Sequence, residues 1–83
     1  MARSYAEILF RLIQHLERIA SPGTVIDEES EIVTQLGLDS VKVLDVIMEI
    51  EDEFDISVPM NLLADVRTVS DLARVIEQIQ SSV

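Results

Sequence analysis

The chain has no cysteine and no tryptophan, and its 83 residues include one histidine, one tyrosine, two phenylalanines, two glycines and two prolines. Without cysteine, disulfide frameworks and thiolate metal sites are excluded. The redox compartment stays open, and a cytoplasmic location is expected only because nothing argues for export. His15 has no second histidine or cysteine near it to complete a metal site, and no nucleophile elbow surrounds any serine to make it a catalytic base. No metal and no catalytic residue is expected. Long hydrophobic runs are also missing: nothing approaches the roughly 20 apolar residues that span a bilayer. Glu7, Arg11 and Glu17 interrupt the N-terminal run that a signal sequence would keep apolar. There is no internal repeat, low-complexity tract or linker. Residues 1–83 therefore read as a single domain, big enough for a small core but not for two lobes, and expected to be monomeric.

Positive charge is scarce as well, with six Lys and Arg against sixteen Asp and Glu for a net charge of −10. From Asp27 to Asp55 eleven acids face one base, Lys42, while the rest of the chain holds five of each. The whole net charge thus lies in the middle third. Nucleic acid and anionic membranes demand the opposite sign, so both are disfavoured, and basic protein partners are favoured. The plainer reading is that the acids simply solubilise a small helical domain.

Hydrophobic periodicity supplies the fold. Ser4 and Glu7 have the spacing of a capping box, and Tyr5, Ile8, Leu9, Leu12, Leu16 and Ile19 recur at three and four, predicting a helix from Tyr5 to Ala20. Ser21-Pro22-Gly23 ends it. Residues 24–36 form a long connection, with a short helical turn expected around Ser30 to Gln35 and Val25, Ile26, Ile32, Val33 and Leu36 as its apolar anchors. Loops of this length are usually functional or tied down by their own side chains. Pro59 holds Val58 extended, and Met60 to Val66 is expected to make a short helix. Thr68, with Asp71 three residues on, caps a last helix whose stripe is Val69, Leu72, Ala73, Ile76 and Ile79. The fold class is all-α: a four-helix bundle with three long helices and one short third helix.

The informative stretch is Gly37-Leu38-Asp39-Ser40 and the helix it opens. Gly37 is a turn signal, Asp39 an N-cap, and Ser40 stands at the mouth of the helix. Val43, Val46, Ile47, Ile50 and Phe54 gather within an arc of about 100° as the core face. Val41, Leu44 and Met48 fall on roughly the opposite side together with Asp45 and Asp52, flanked by Glu51. A second apolar strip ringed by acids reads as a docking face, although singly exposed apolar residues are common.

Gly37-Leu38-Asp39-Ser40 followed by an acidic amphipathic helix resembles the G-x-D-S site of acyl carrier proteins, whose serine bears a 4′-phosphopantetheine arm. The resemblance runs from about Ile32 to about Ile76 and takes in the spacing of Phe54-Asp55, Pro59, Thr68-Val69 and the last helix. It implies that a separate phosphopantetheinyl transferase moves the arm from coenzyme A onto Ser40, with Asp39 assisting its recognition. It implies no chemistry by the chain itself. The chain would carry acyl intermediates as thioesters and present them to fatty-acid, polyketide or other specialised enzymes with basic docking patches. Val41, Leu44, Asp45, Met48, Glu51 and Asp52 would meet those partners, and Ile32, Val43, Ile47 and Leu63 would shelter the acyl chain. Lys42 departs from the acidic or neutral residue common at its position, and Met60-Asn61-Leu62-Leu63-Ala64 is less acidic than in housekeeping fatty-acid carriers. The pathway therefore stays open. Leu38-Asp39 leans toward acyl rather than peptidyl or aryl cargo.

Two rivals remain at this level. Ser40 as a hydrolytic nucleophile lacks a base. An unmodified acidic adaptor explains the charge and the apolar strip but leaves Asp39-Ser40 as capping alone. The charge itself makes a prediction: the Asp27–Asp55 region repels itself, so salt or divalent cations should raise the melting temperature. A melting temperature that falls on adding moderate salt contradicts this account.

Overall fold

A computed structural model describes residues 3–20, 22–34 and 39–81. Its helices are α1 (Tyr5–Ile19), α2 (Ser40–Phe54), the short α3 (Met60–Leu63) and α4 (Val69–Ser81). Local chemistry sets the long helices' starts. Ser4 Oγ accepts the Glu7 N–H at 3.3 Å ahead of α1, and Asp39 Oδ1 accepts the Lys42 N–H at 2.9 Å ahead of α2. Before α4 the box is reciprocal: Thr68 Oγ1 accepts the Asp71 N–H while Asp71 Oδ2 accepts the N–H groups of Thr68 and Arg67, all at 3.1 Å. These amide donors, that of Thr68 first, hold the Asp71 carboxyl below its ordinary range.

One apolar cluster joins the elements. Ile8, Leu12 and Leu16 of α1, Val46, Ile47, Ile50 and Phe54 of α2, and Val69, Leu72, Ala73 and Ile76 of α4 are buried, with Ile32 and Val58 added from the connections. α1 packs most extensively on α4, and the Tyr5 hydroxyl donates to Ser70 Oγ at 3.1 Å along that seam. Arg3 lies over the Phe54 ring, 4.4 Å from its centre.

Two expectations are corrected. The helical turn expected at Ser30 to Gln35 gives way to pairing at Ser30 and Glu31, a turn remains at residues 32–34, and Gln35 lies outside the described residues. Glu31 forms an isolated antiparallel bridge with Thr68. The Ile32 N–H donates to the Arg67 carbonyl at 2.9 Å, the Val69 N–H to the Ser30 carbonyl at 3.0 Å, and the Ser70 N–H to the Glu28 carbonyl at 2.8 Å. The first-turn amides of α4 have no partners inside their own helix, and the connection supplies their acceptors. The same pairing shortens α3, expected to reach Val66 but ending at Leu63. The chain must leave its helical course for Arg67 and Thr68 to run beside Glu31, and the Val66 N–H closes a turn onto the Leu63 carbonyl at 3.1 Å. Upstream, the connection is knotted by its own side chains: Ser30 Oγ accepts the Asp27 N–H at 3.0 Å, and Asp27 Oδ1 accepts the Glu29 N–H at 2.9 Å.

α2 ends on Asp55 in the left-handed region, at φ 55° and ψ 51°. Asparagine tolerates that conformation, and a negative charge is unfavourable at a helix C-terminus. Asp55→Asn is therefore expected to stabilise the chain by roughly 0.3–1 kcal/mol, read at low salt as a melting temperature higher by about 2–6 °C. An unchanged or lower value contradicts the electrostatic reading of this cap.

Candidate functional site

α2 organises the site. Asp39, extended at φ −82° and ψ 173°, ends the preceding connection, and Ser40 is the first residue of the helix. The Val43 N–H returns to the Asp39 carbonyl at 3.1 Å, so Asp39 closes the first turn from both its main chain and its side chain. Gly37 and Leu38, expected to lead into this turn, and Leu36 lie outside the described residues.

The outer side of α2 carries the strip anticipated from its period. Val41 is 68%, Met48 64% and Leu44 38% exposed, and Asp45 and Asp52 are exposed beside them. Glu51 is different. It is half-buried, and its Oε2 accepts the Val58 N–H at 2.7 Å. Its carboxylate thus holds the turn that follows α2, a task that spacing along one helix does not reveal.

The inner side opens on a cavity of about 290 Å³. Ile32 from the connection, Val43 and Ile47 from α2 and Leu63 from α3 all line it, so the four candidates for an acyl pocket come together in space. Val33, Leu44, Met60, Ala64, Val66 and Leu72 complete the wall, and all ten lining side chains among the described residues are apolar. Of these, Val33, Leu44, Met60 and Ala64 are exposed and form the rim. Leu44 belongs both to the outer strip and to the cavity, a double placement the helical period could not suggest. Leu72 was legible only as core.

The far half of α2 is anchored to α1 by an ionic cluster. Arg11 grips Glu53 with two hydrogen bonds of 2.7 Å, from Nε to Oε2 and from Nη2 to Oε1. His15, only 7% exposed, places Nδ1 2.8 Å from Glu49 Oε2 and Nε2 2.9 Å from Glu53 Oε1. Both ring nitrogens are thereby engaged, and no group of three His, Cys, Asp or Glu among the described residues could hold a metal ion. The Arg11 hydrogen bonds, helped by His15, pull the Glu53 carboxyl from an ordinary 4.5 down to about 2 against the opposing effect of burial.

Comparison with known proteins supplies the class. The family profile described as "Phosphopantetheine attachment site" matches residues 8–76. A probable acyl carrier protein of Caulobacter vibrioides is 43% identical over 53 residues, covering 64% of this chain and 62% of that protein. The acyl carrier protein of Thermobifida fusca is 30% identical over 79 residues, 94% of this chain and 100% of its own length. The meromycolate extension acyl carrier protein of Mycolicibacterium aurum is 30% identical over 82 residues, covering 96% of this chain and 84% of that protein. The chain belongs to the acyl carrier proteins, the family built on a phosphopantetheine attachment domain. Its members are carriers, not catalysts. No helix among the described residues is long and apolar enough to cross a membrane.

The Glu53 anchor has a definite pH signature. A carboxyl whose pKa is lower in the folded chain adds stability above its unfolded value, and that stability is lost as pH falls through the folded value. Relief of charge repulsion acts in the opposite direction over the same range, so the informative quantity is a difference between two chains. The stability gap between the unaltered chain and Glu53→Gln should be widest above about pH 4.5 and close toward pH 2. Thermal melts across that range check it; a gap constant with pH contradicts the assignment.

Proposed function

We propose that Ser40 bears the 4′-phosphopantetheine arm, placed there by a separate phosphopantetheinyl transferase, and that the chain holds aliphatic acyl groups and hands them to partner enzymes. The observation that carries this reading is the cavity with all-apolar lining side chains, walled by Val43, Leu44 and Ile47 on the same helix as Ser40 and one to two turns along it. The first residue of a helix suits an attached phosphate, because unpaired N–H groups and the positive end of the helix dipole favour a negative charge there. When bound, the arm supplies a terminal thiol on which an acyl group rides as a thioester.

The chain's own residues do the remaining work. Asp39 fixes the backbone on which Ser40 stands, through the Lys42 and Val43 amides, and assists recognition by the transferase. Ile32, Val43, Ile47 and Leu63 shield the apolar chain from water, each buried methylene being favourable by about 0.8 kcal/mol. The exposed rim keeps that shelter shallow, which suits a cargo that must leave again. Val41, Leu44 and Met48 offer partners an apolar contact, and Asp45 and Asp52, with Glu51 at their flank, attract basic patches. Such charges speed encounter more than they tighten the complex. We place this activity in the cytoplasm, in one carrier domain spanning residues 1–83 and acting as a monomer. The apolar lining favours fatty or polyketide-type chains over aminoacyl cargo, whose ammonium group would find no acceptor among the lining side chains.

Mass measurement decides the matter. Incubation with coenzyme A and a broad-specificity phosphopantetheinyl transferase should add the mass of one phosphopantetheine, and Ser40→Ala should abolish the gain. No gain, or a gain that survives the substitution, overturns the proposal, and the first outcome leaves an acidic adaptor.

A further inference from the structure

Lys42 is the odd residue of α2. It is the single base between Asp27 and Asp55, it is exposed, and it lies in the first turn of the helix, two positions after Ser40. A positive charge is unfavourable at that end of a helix. Asp39 lies three residues before it and Asp45 three after, the spacing at which helical side chains can meet. Yet no carboxylate among the described residues forms an ion pair with its ammonium group. The Lys42 backbone N–H serves the Asp39 cap, but any side chain would leave that bond in place. Among the described residues nothing pairs with this cation, which leaves it open to whatever approaches the helix.

At about 100° per residue, Lys42 falls about 60° from Asp45 around the helix, on the edge of the strip formed by Val41, Asp45, Met48 and Asp52. A partner patch made only of arginine and lysine would meet attraction from Asp45 and Asp52 and repulsion from Lys42. A patch with one carboxylate at the matching point would be attracted throughout. Selecting partners by a built-in repulsion is a common route to specificity. We propose, on the reading that α2 is the docking helix, that Lys42 is a specificity-determining residue. It selects partner enzymes whose basic docking patch carries an Asp or Glu beside the entrance for the arm, and it disfavours carrier-dependent enzymes whose patch is uniformly basic.

The test uses the intact, arm-bearing chain and an acyl-transferring enzyme whose carrier-docking patch is lined by arginine and lysine alone, with affinity measured at low ionic strength. Lys42→Gln should bind more tightly than the unaltered chain and Lys42→Glu more tightly still, by about fivefold, the scale of exposed charge pairs. The gain should shrink as salt is added. Reversing the enzyme's cations to Glu one at a time should yield at least one variant that prefers the unaltered chain over Lys42→Glu. Asp45→Lys is the control for docking itself. If Asp45→Lys weakens binding while Lys42→Glu leaves it unchanged or weaker, the Lys42 proposal fails and the docking face stands. If neither substitution changes affinity, the docking reading fails and takes this proposal with it. Because Lys42 is exposed and has no ion-pair partner among the described residues, both variants should melt no lower than the unaltered chain, so an affinity change cannot be ascribed to unfolding.

Discussion

Glu53 is held by two residues of α1 at once. Arg11 takes both of its oxygens, and His15 shares one of them while reaching Glu49 with its other nitrogen. Buried or half-buried charges survive in a small protein only when paired and hydrogen-bonded. This cluster meets that condition and fixes the C-terminal half of α2 against α1. Glu51 adds a second tie at the same end by holding the Val58 amide. The other half of α2 rests on apolar contacts, and there it lines the cavity with Val43, Leu44 and Ile47. One helix is thus anchored through polar bonds at one end and offers an apolar wall at the other.

The charges of α2 run against its own dipole. α1 has Glu7 in its first turn and Arg18 in its last, as stability favours, whereas α2 has no acid in its first turn and no base in its last. Glu49, Glu51, Asp52 and Glu53 crowd its C-terminal half. Three of these are used internally, yet Asp45, Asp52 and Asp55 are exposed and mutually repelling. Local choices that oppose stability are concentrated where proteins meet other molecules. Both helices build the core, but only α1 has its charges aligned with its dipole.

How far the sequence revealed this depends on the range of the interactions. Helix starts were legible because Ser4, Asp39 and Thr68-Asp71 act within four residues of themselves. The two faces of α2 were legible because a 3.6-residue period is a local property. The cavity was legible only in part: Ile32, Val43, Ile47 and Leu63 were named, but Val33, Met60, Ala64, Val66 and Leu72 come from separate segments whose meeting is a tertiary fact. His15 was expected off the centre of its stripe and is nonetheless buried, because carboxylates 34 and 38 residues away receive its ring. The pairing of residues 28–32 with 67–70 left no trace in periodicity, since one bridge and three backbone hydrogen bonds make no alternating pattern.

That pairing also bears on what holds the segment before Ser40. The connection leading toward Ser40 takes its carbonyl and amide partners from Arg67, Val69 and Ser70, all of which follow α2 in the chain. Without residues 67–70 in place, the segment between α1 and α2 keeps its own Asp27 and Ser30 bonds but loses the pairing that fastens it to the start of α4. The position of the segment leading toward Ser40 thus depends on residues that follow α2, so loosening the start of α4 would loosen that segment as well.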